Sequence, residues 1–180
     1  MGKILIIKGA DFSNNALASI IKRTDSISSE NVGNLAFRKY FNTIPLSDNV
    51  TISSFTFFVT LATMMNASKE SVITIFATDG SNILRSSTVN VASIINDLIE
   101  GRVSDREKVR VSLPSPLKIY AGEYFGICMG GANEEASATT HNQLMSYVPT
   151  PSGNYGYMQY VGATSPRPSN IAVDLYGNID

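Results

Sequence analysis

The chain has 180 residues, a net charge of −1, 43% hydrophobic residues and only 16% charged residues. That length and apolar content suit one folded domain with its own core rather than a disordered chain. The charge balance shows no basic run, so the electrostatic footprint of nucleic-acid binding is missing. Cys128 is the single cysteine. An internal disulfide and a thiolate metal cluster are therefore excluded, and Cys128, in an apolar stretch, reads as a packing residue.

Residues Ile4–Ile7 form one short apolar run, read as a strand. It is shorter than the roughly 7–15 residues of a secretory signal, so the chain is expected to be made in the cytoplasm without a signal peptide. No stretch reaches the roughly 20 apolar residues of a membrane span. A turn cluster follows at Asp11, Ser13, Asn14 and Asn15, and then Ala16, Leu17, Ile20 and Ile21 fall at helical spacing. Residues 22–36 are polar and unpatterned. Residues 1–36 are accordingly expected to form an extended amino-terminal arm, and residues 37–180 the domain proper.

Within that domain the period-two signal is strong. FRKYFNTIPL alternates up to Pro45. Phe55, Phe57, Val59 and Leu61 share one face of an expected strand 55–61, with Phe58 out of pattern. Residues 72–78 (VITIFAT) are apolar on both faces, as a central strand would be. Asp79-Gly80 signals a hairpin turn, and Ile83 to Val91 the return strand. Val91, Ile94, Ile95 and Leu98 lie on one face of a short helix over 91–100, with Gly101 as its cap. Further strands are expected at 109–113, 123–129, 143–148, 155–161 and 171–176, with Pro114 and Pro116 breaking the ladder between the first two. Eight to ten short strands with turns between them describe an all-β fold, a β-sandwich or jelly roll with one short helix.

Aromatic residues divide unevenly along the chain. All eight Phe lie at or before Phe125, whereas Tyr147, Tyr155, Tyr157, Tyr160 and Tyr176 make up five of the eight Tyr. Tyrosine has an apolar body and a polar tip, and suits half-wet contact surfaces. With Pro149, Pro151, Gly153 and Gly156 between them, Tyr147, Tyr155, Tyr157 and Tyr160 are candidate ligand contacts on exposed loops. The alternative is that they sit at the edge of the core.

Catalytic chemistry finds little to work with. His141 is the only histidine, and it lies in a Thr-rich loop with no Gly-x-Ser-x-Gly elbow anywhere in the chain. Glu134-Glu135 could help hold calcium, but the regular acid spacing of a calcium loop is missing. No catalytic set, no metal site and no cofactor is expected.

The opening KILIIKGADFSNNAL resembles a leader found at the start of proteins of phages and prophages of anaerobic gut bacteria. YFNTIPLSDNVTI and PLKIYAGEYFGIC resemble jelly-roll strands of phage appendage proteins, the head and tail fibres. This resemblance implies a virion structural protein, a fibre or decoration protein that forms a homo-oligomer, most simply a trimer. It would dock to another virion protein through its arm, with Ile4, Leu5, Ile6, Ile7, Leu17, Ile20 and Ile21 as the docking residues, and face cell-surface glycan on its outer side. The alternative reading is a carbohydrate-binding module or a small glycan-active enzyme of a gut bacterium.

Overall fold

The computed structural model describes residues 19–21, 33–34, 39–59, 70–105, 107–133, 146–148, 158–165, 170–171 and 173–180, with backbone alone at 19–21, 33–34, 146–148 and 170–171. In chain order the strands are β1 (Ser19–Ile21), β2 (Gly33–Asn34), β3 (Tyr40–Asn42), β4 (Val50–Phe58), β5 (Val72–Thr78) and β6 (Ile83–Asn90). Helix α1 (Ala92–Ile99) follows, and then β7 (Lys108–Ile119), β8 (Tyr124–Met129), β9 (Ser146–Val148), β10 (Met158–Tyr160), β11 (Asn170–Ile171) and β12 (Asp174–Ile179).

The strands form a four-stranded sheet, β1-β12-β4-β7, a five-stranded sheet, β10-β3-β8-β5-β6, and a small sheet, β11-β9-β2. Every pair is antiparallel. Apart from β2, β9, β10 and β11, the two main sheets contain eight strands, and their pairing has a simple rule. The first pairs with the eighth (β1 with β12), the second with the seventh (β3 with β8), the third with the sixth (β4 with β7) and the fourth with the fifth (β5 with β6). That is one long hairpin, and rolling it up adds the contacts β12–β4 and β5–β8. The fold is an all-β sandwich with jelly-roll connections.

Sequence pattern explains which way each strand faces. On β5, Ile73, Ile75 and Ala77 point inward and are fully buried. They meet Phe55, Phe57, Val109, Val111, Phe125 and Ile127 in one core. Helix α1 closes the β6–β7 connection by burying Ile94, Ile95 and Leu98. Asn90 Oδ1 accepts the Ala92 N–H at its start, and Gly101 takes the left-handed conformation past its end (φ 71°).

Two expectations of strand limits shift. Strand β4 begins at Val50, ahead of the expected 55, because a register shift between Ile52 and Ser54 lets Ile52 and Phe55, three apart, both face inward. Phe58, out of pattern in the sequence, lies on the outer face beside the Lys108 ammonium, 5.8 Å from its ring. Pro114 and Pro116 do not end a strand: β7 runs through both. Pairing with β4 jumps from Leu117 to Ser112, so residues 113–116 loop out of that ladder and the prolines forfeit no bond to β4. The bulge is used: Ser87 Oγ donates to Ser115 O (2.7 Å) and Arg85 Nε to Lys118 O (2.9 Å), joining the edge strands of the two main sheets.

Within the segment expected as an arm, Ser19–Ile21 forms the edge strand β1 against β12, and Gly33–Asn34 pairs with β9. The strand read at Ile4–Ile7 lies outside the described residues.

Candidate functional site

One end of the roll gathers the β3–β4 loop, the β5–β6 turn and the β7–β8 loop. Leu46 N–H donates to Glu123 O (2.9 Å), Gly122 N–H to Leu46 O (2.8 Å) and Ala121 N–H to Asn49 Oδ1 (2.9 Å). Arg85 pairs with Glu123, and Lys118 Nζ lies 3.0 Å from Asp180. These bonds fix the loops on the scaffold.

At this end an open cleft of about 250 Å³ lies between Phe41, Thr43, Asp79, Gly80, Ser81, Tyr124, Gln159 and Ala163. Its floor follows from strand alternation. Phe41 and Tyr124 face outward from β3 and β8, away from the main core, with ring centroids 5.3 Å apart. They belong to a second apolar cluster with Phe76, Cys128 and Val161 on the outer face of the five-stranded sheet. Gly126 makes that cluster possible. It pairs with Phe41 on one side and Phe76 on the other, and a Cβ there would stand 2.2 Å from the Phe76 ring.

The rim is the β5–β6 turn. Asp79 Oδ1 accepts the N–H groups of Ser81 (2.8 Å) and Asn82 (2.7 Å), and Asn82 Nδ2 reaches Oδ2 at 3.4 Å. These bonds, that from the Asn82 N–H first, hold the Asp79 carboxyl below the usual carboxylate range. Gly80 has φ 97°, a conformation that L side chains rarely adopt. A Cβ on it would lie 3.6 Å from Phe41 Cζ and 3.9 Å from Tyr124 Cε2, filling the space over the floor. Gly162 N–H donates to Gly80 O (3.2 Å), and the Gln159 amide donates to Ala163 O, so the turn after β10 is tied to the same rim.

Of the four tyrosines expected to make ligand contacts, the structure describes the side chain of Tyr160 alone. Tyr160 is half-buried in β10, edge-on to Tyr40 at 6.3 Å, and packs against the main core. Tyr147 is the middle residue of β9, paired with Gly33 and Ile171. Tyr155 and Tyr157 lie outside the described residues. Among the docking residues, Ile20 and Ile21 lie in β1, while Ile4, Leu5, Ile6, Ile7 and Leu17 lie outside the described residues. So do His141, Glu134 and Glu135. Cys128 is buried, as its apolar surroundings suggest. Among the described residues no group of three or more His, Cys, Asp or Glu could hold a metal ion. No described helix is long and apolar enough to cross a membrane.

The sequence marked Asp79-Gly80 as a turn but gave no sign of the cleft. Phe41 in β3, Tyr124 in β8 and Gln159 in β10 are distant in sequence, and only the β10–β3–β8 register brings them together. Comparison of the chain with protein-family models, with curated proteins and with solved structures returns no match.

Proposed function

We propose that the chain is a structural module of a virion, a fibre or decoration protein that docks to the particle through its amino-terminal segment and presents a contact surface outward. The observation that carries this reading is the jelly-roll pairing itself, with a loop-built cleft at one end. Rolls of this kind recur in viral capsid and lectin domains. Fold alone does not fix function, so the phage-like leader KILIIKGADFSNNAL supplies the second support. Strand β1 is an edge strand, and residues 1–18 lead directly into it. An edge strand is open to pairing with a neighbouring chain by strand addition. The self-association in this reading is a closed homo-oligomer, a trimer of three 19.4 kDa chains.

The cleft favours one second reading, a carbohydrate-binding module that acts on its own. A glycan-active enzyme needs more: two carboxyl groups roughly 5–9.5 Å apart across the scissile bond. Among the described residues lining the cleft, Asp79 is the single carboxylate.

Docking in trans tests the proposal. Purified full-length chain and a chain of residues 19–180 are mixed with particles that lack this protein. Full-length chain should bind saturably and the truncated chain should not. Equal binding by both, or none by either, would overturn the docking role of the amino-terminal segment.

A further inference from the structure

We infer that the cleft between the β5–β6 turn and the Phe41–Tyr124 pair binds a single neutral pyranose ring. This deepens the contact-surface part of the proposed function and rests on it.

Four features of the site point to that ligand. The floor offers an aromatic surface, Tyr124 half-exposed and braced by Phe41. Carbon-bound hydrogens on one face of a sugar ring pack on such a surface. The Gly80 backbone stands over the rings without a side chain, which leaves room for the ligand. Asp79 divides its oxygens: Oδ1 is occupied by two backbone N–H groups, whereas Oδ2 has only the long contact from Asn82. Oδ2 therefore has capacity to accept hydroxyl hydrogens, and the bonds to Oδ1 hold it in place before any ligand arrives. Finally, the volume of about 250 Å³ is below that of sites for drug-sized molecules. Those enclose roughly 300–1,000 Å³, so this cleft suits one ring rather than a chain of sugars.

Charge selects among sugars. Among the described residues, Asp79 is the only charged one that lines the cleft. A carboxylate repels acidic sugars and accepts from the hydroxyls of neutral ones. A ring of about a dozen heavy atoms in an open site should bind with millimolar affinity.

The test is an amide-resolved magnetic resonance titration of the full chain with methyl glucoside, methyl galactoside and methyl mannoside. N-acetylneuraminic acid and methylammonium serve as comparison ligands. At least one neutral pyranoside should give saturable shifts at the Gly80, Ser81, Tyr124 and Gln159 amides. Asp79→Asn keeps an oxygen for the turn and should weaken that binding at least fivefold. Gly80→Ala should abolish it. If Gly80→Ala fails to fold, the wild-type shift map and Asp79→Asn decide. Absence of saturable shifts at these amides, or a stronger response to the acid or the ammonium, would overturn the inference. Incorporation into particles is read separately. A chain that enters particles but shows no shifts loses the cleft assignment alone, and a chain that binds sugar but stays out of particles loses the virion role alone.

Discussion

Replacing Gly126 with alanine tests the register of the five-stranded sheet at its most crowded point. Gly126 lies on β8 between Phe41 of β3 and Phe76 of β5. Its Cβ would stand 2.2 Å from Phe76 Cε2 and Cζ, and 2.6 Å from the Tyr40 carbonyl oxygen. A fully buried ring has no free space to move into, and a ladder carbonyl cannot yield without breaking its strand. Overpacking typically costs about 1–3 kcal/mol, and with backbone on one side the upper end applies. For a chain of this size that lowers the melting midpoint by roughly 6–12 °C at about 2–4 °C per kcal/mol. Phe76→Leu removes the clashing ring. The double variant should therefore lose less than the two single losses added together, with a coupling of about 1 kcal/mol or more. Thermal unfolding followed by circular dichroism reads all four proteins. A Gly126→Ala midpoint within about 2 °C of the parent, a shift worth only about 0.5–1 kcal/mol, would show that Gly126 and Phe76 are not neighbours and that the β5–β8 register is wrong.

Three other predictions follow from the outer face of the four-stranded sheet and from the cleft rim. Thr56 Oγ1 is buried with no hydrogen-bond partner among the described residues, so Thr56→Val, which keeps the shape, should raise stability by about 1 kcal/mol in urea unfolding; a loss would mean the hydroxyl is satisfied. Asp174 is 1% exposed and ion-paired with Lys108, so Lys108→Met removes the cation beside a buried carboxylate and should cost about 3 kcal/mol in urea unfolding. An unchanged urea midpoint would contradict the pairing. Asp79 and Asp180 are held below the usual carboxylate range, Asp79 by turn N–H groups and Asp180 by Lys118 and Thr51. Their contribution is present at neutral pH and disappears as pH falls through those lowered values. Lys118, raised by Asp180, keeps its share until pH climbs past the ordinary lysine range. Asp79→Ala should flatten the acid limb of midpoint against pH, and an unchanged limb would refute the assignment.

Much of the fold could be read from the sequence because alternation is a local signal. VITIFAT matches β5 end to end, and Asp79-Gly80 marks the hairpin that follows. Helix α1 was visible in the spacing of Ile94, Ile95 and Leu98. The limits of strands were harder to read, since bulges change the period. Ile52 and Phe55 face the same way only because β4 shifts register between them, and Pro114 and Pro116 sit in β7 only because residues 113–116 leave the ladder. The candidate site was the least legible part. Tyrosine clustering drew attention to the carboxy-terminal segment, but Tyr160 proves to be packed against the core. The cleft instead rests on a glycine's missing side chain and on residues 41, 79, 124 and 159, which approach one another only through long-range pairing.

The most direct test of the virion assignment is peptide mass spectrometry across a density gradient of particles released by cells that carry the gene. This chain should peak in the particle fractions at a fixed ratio to the major capsid protein. A chain found only in particle-free fractions would contradict it.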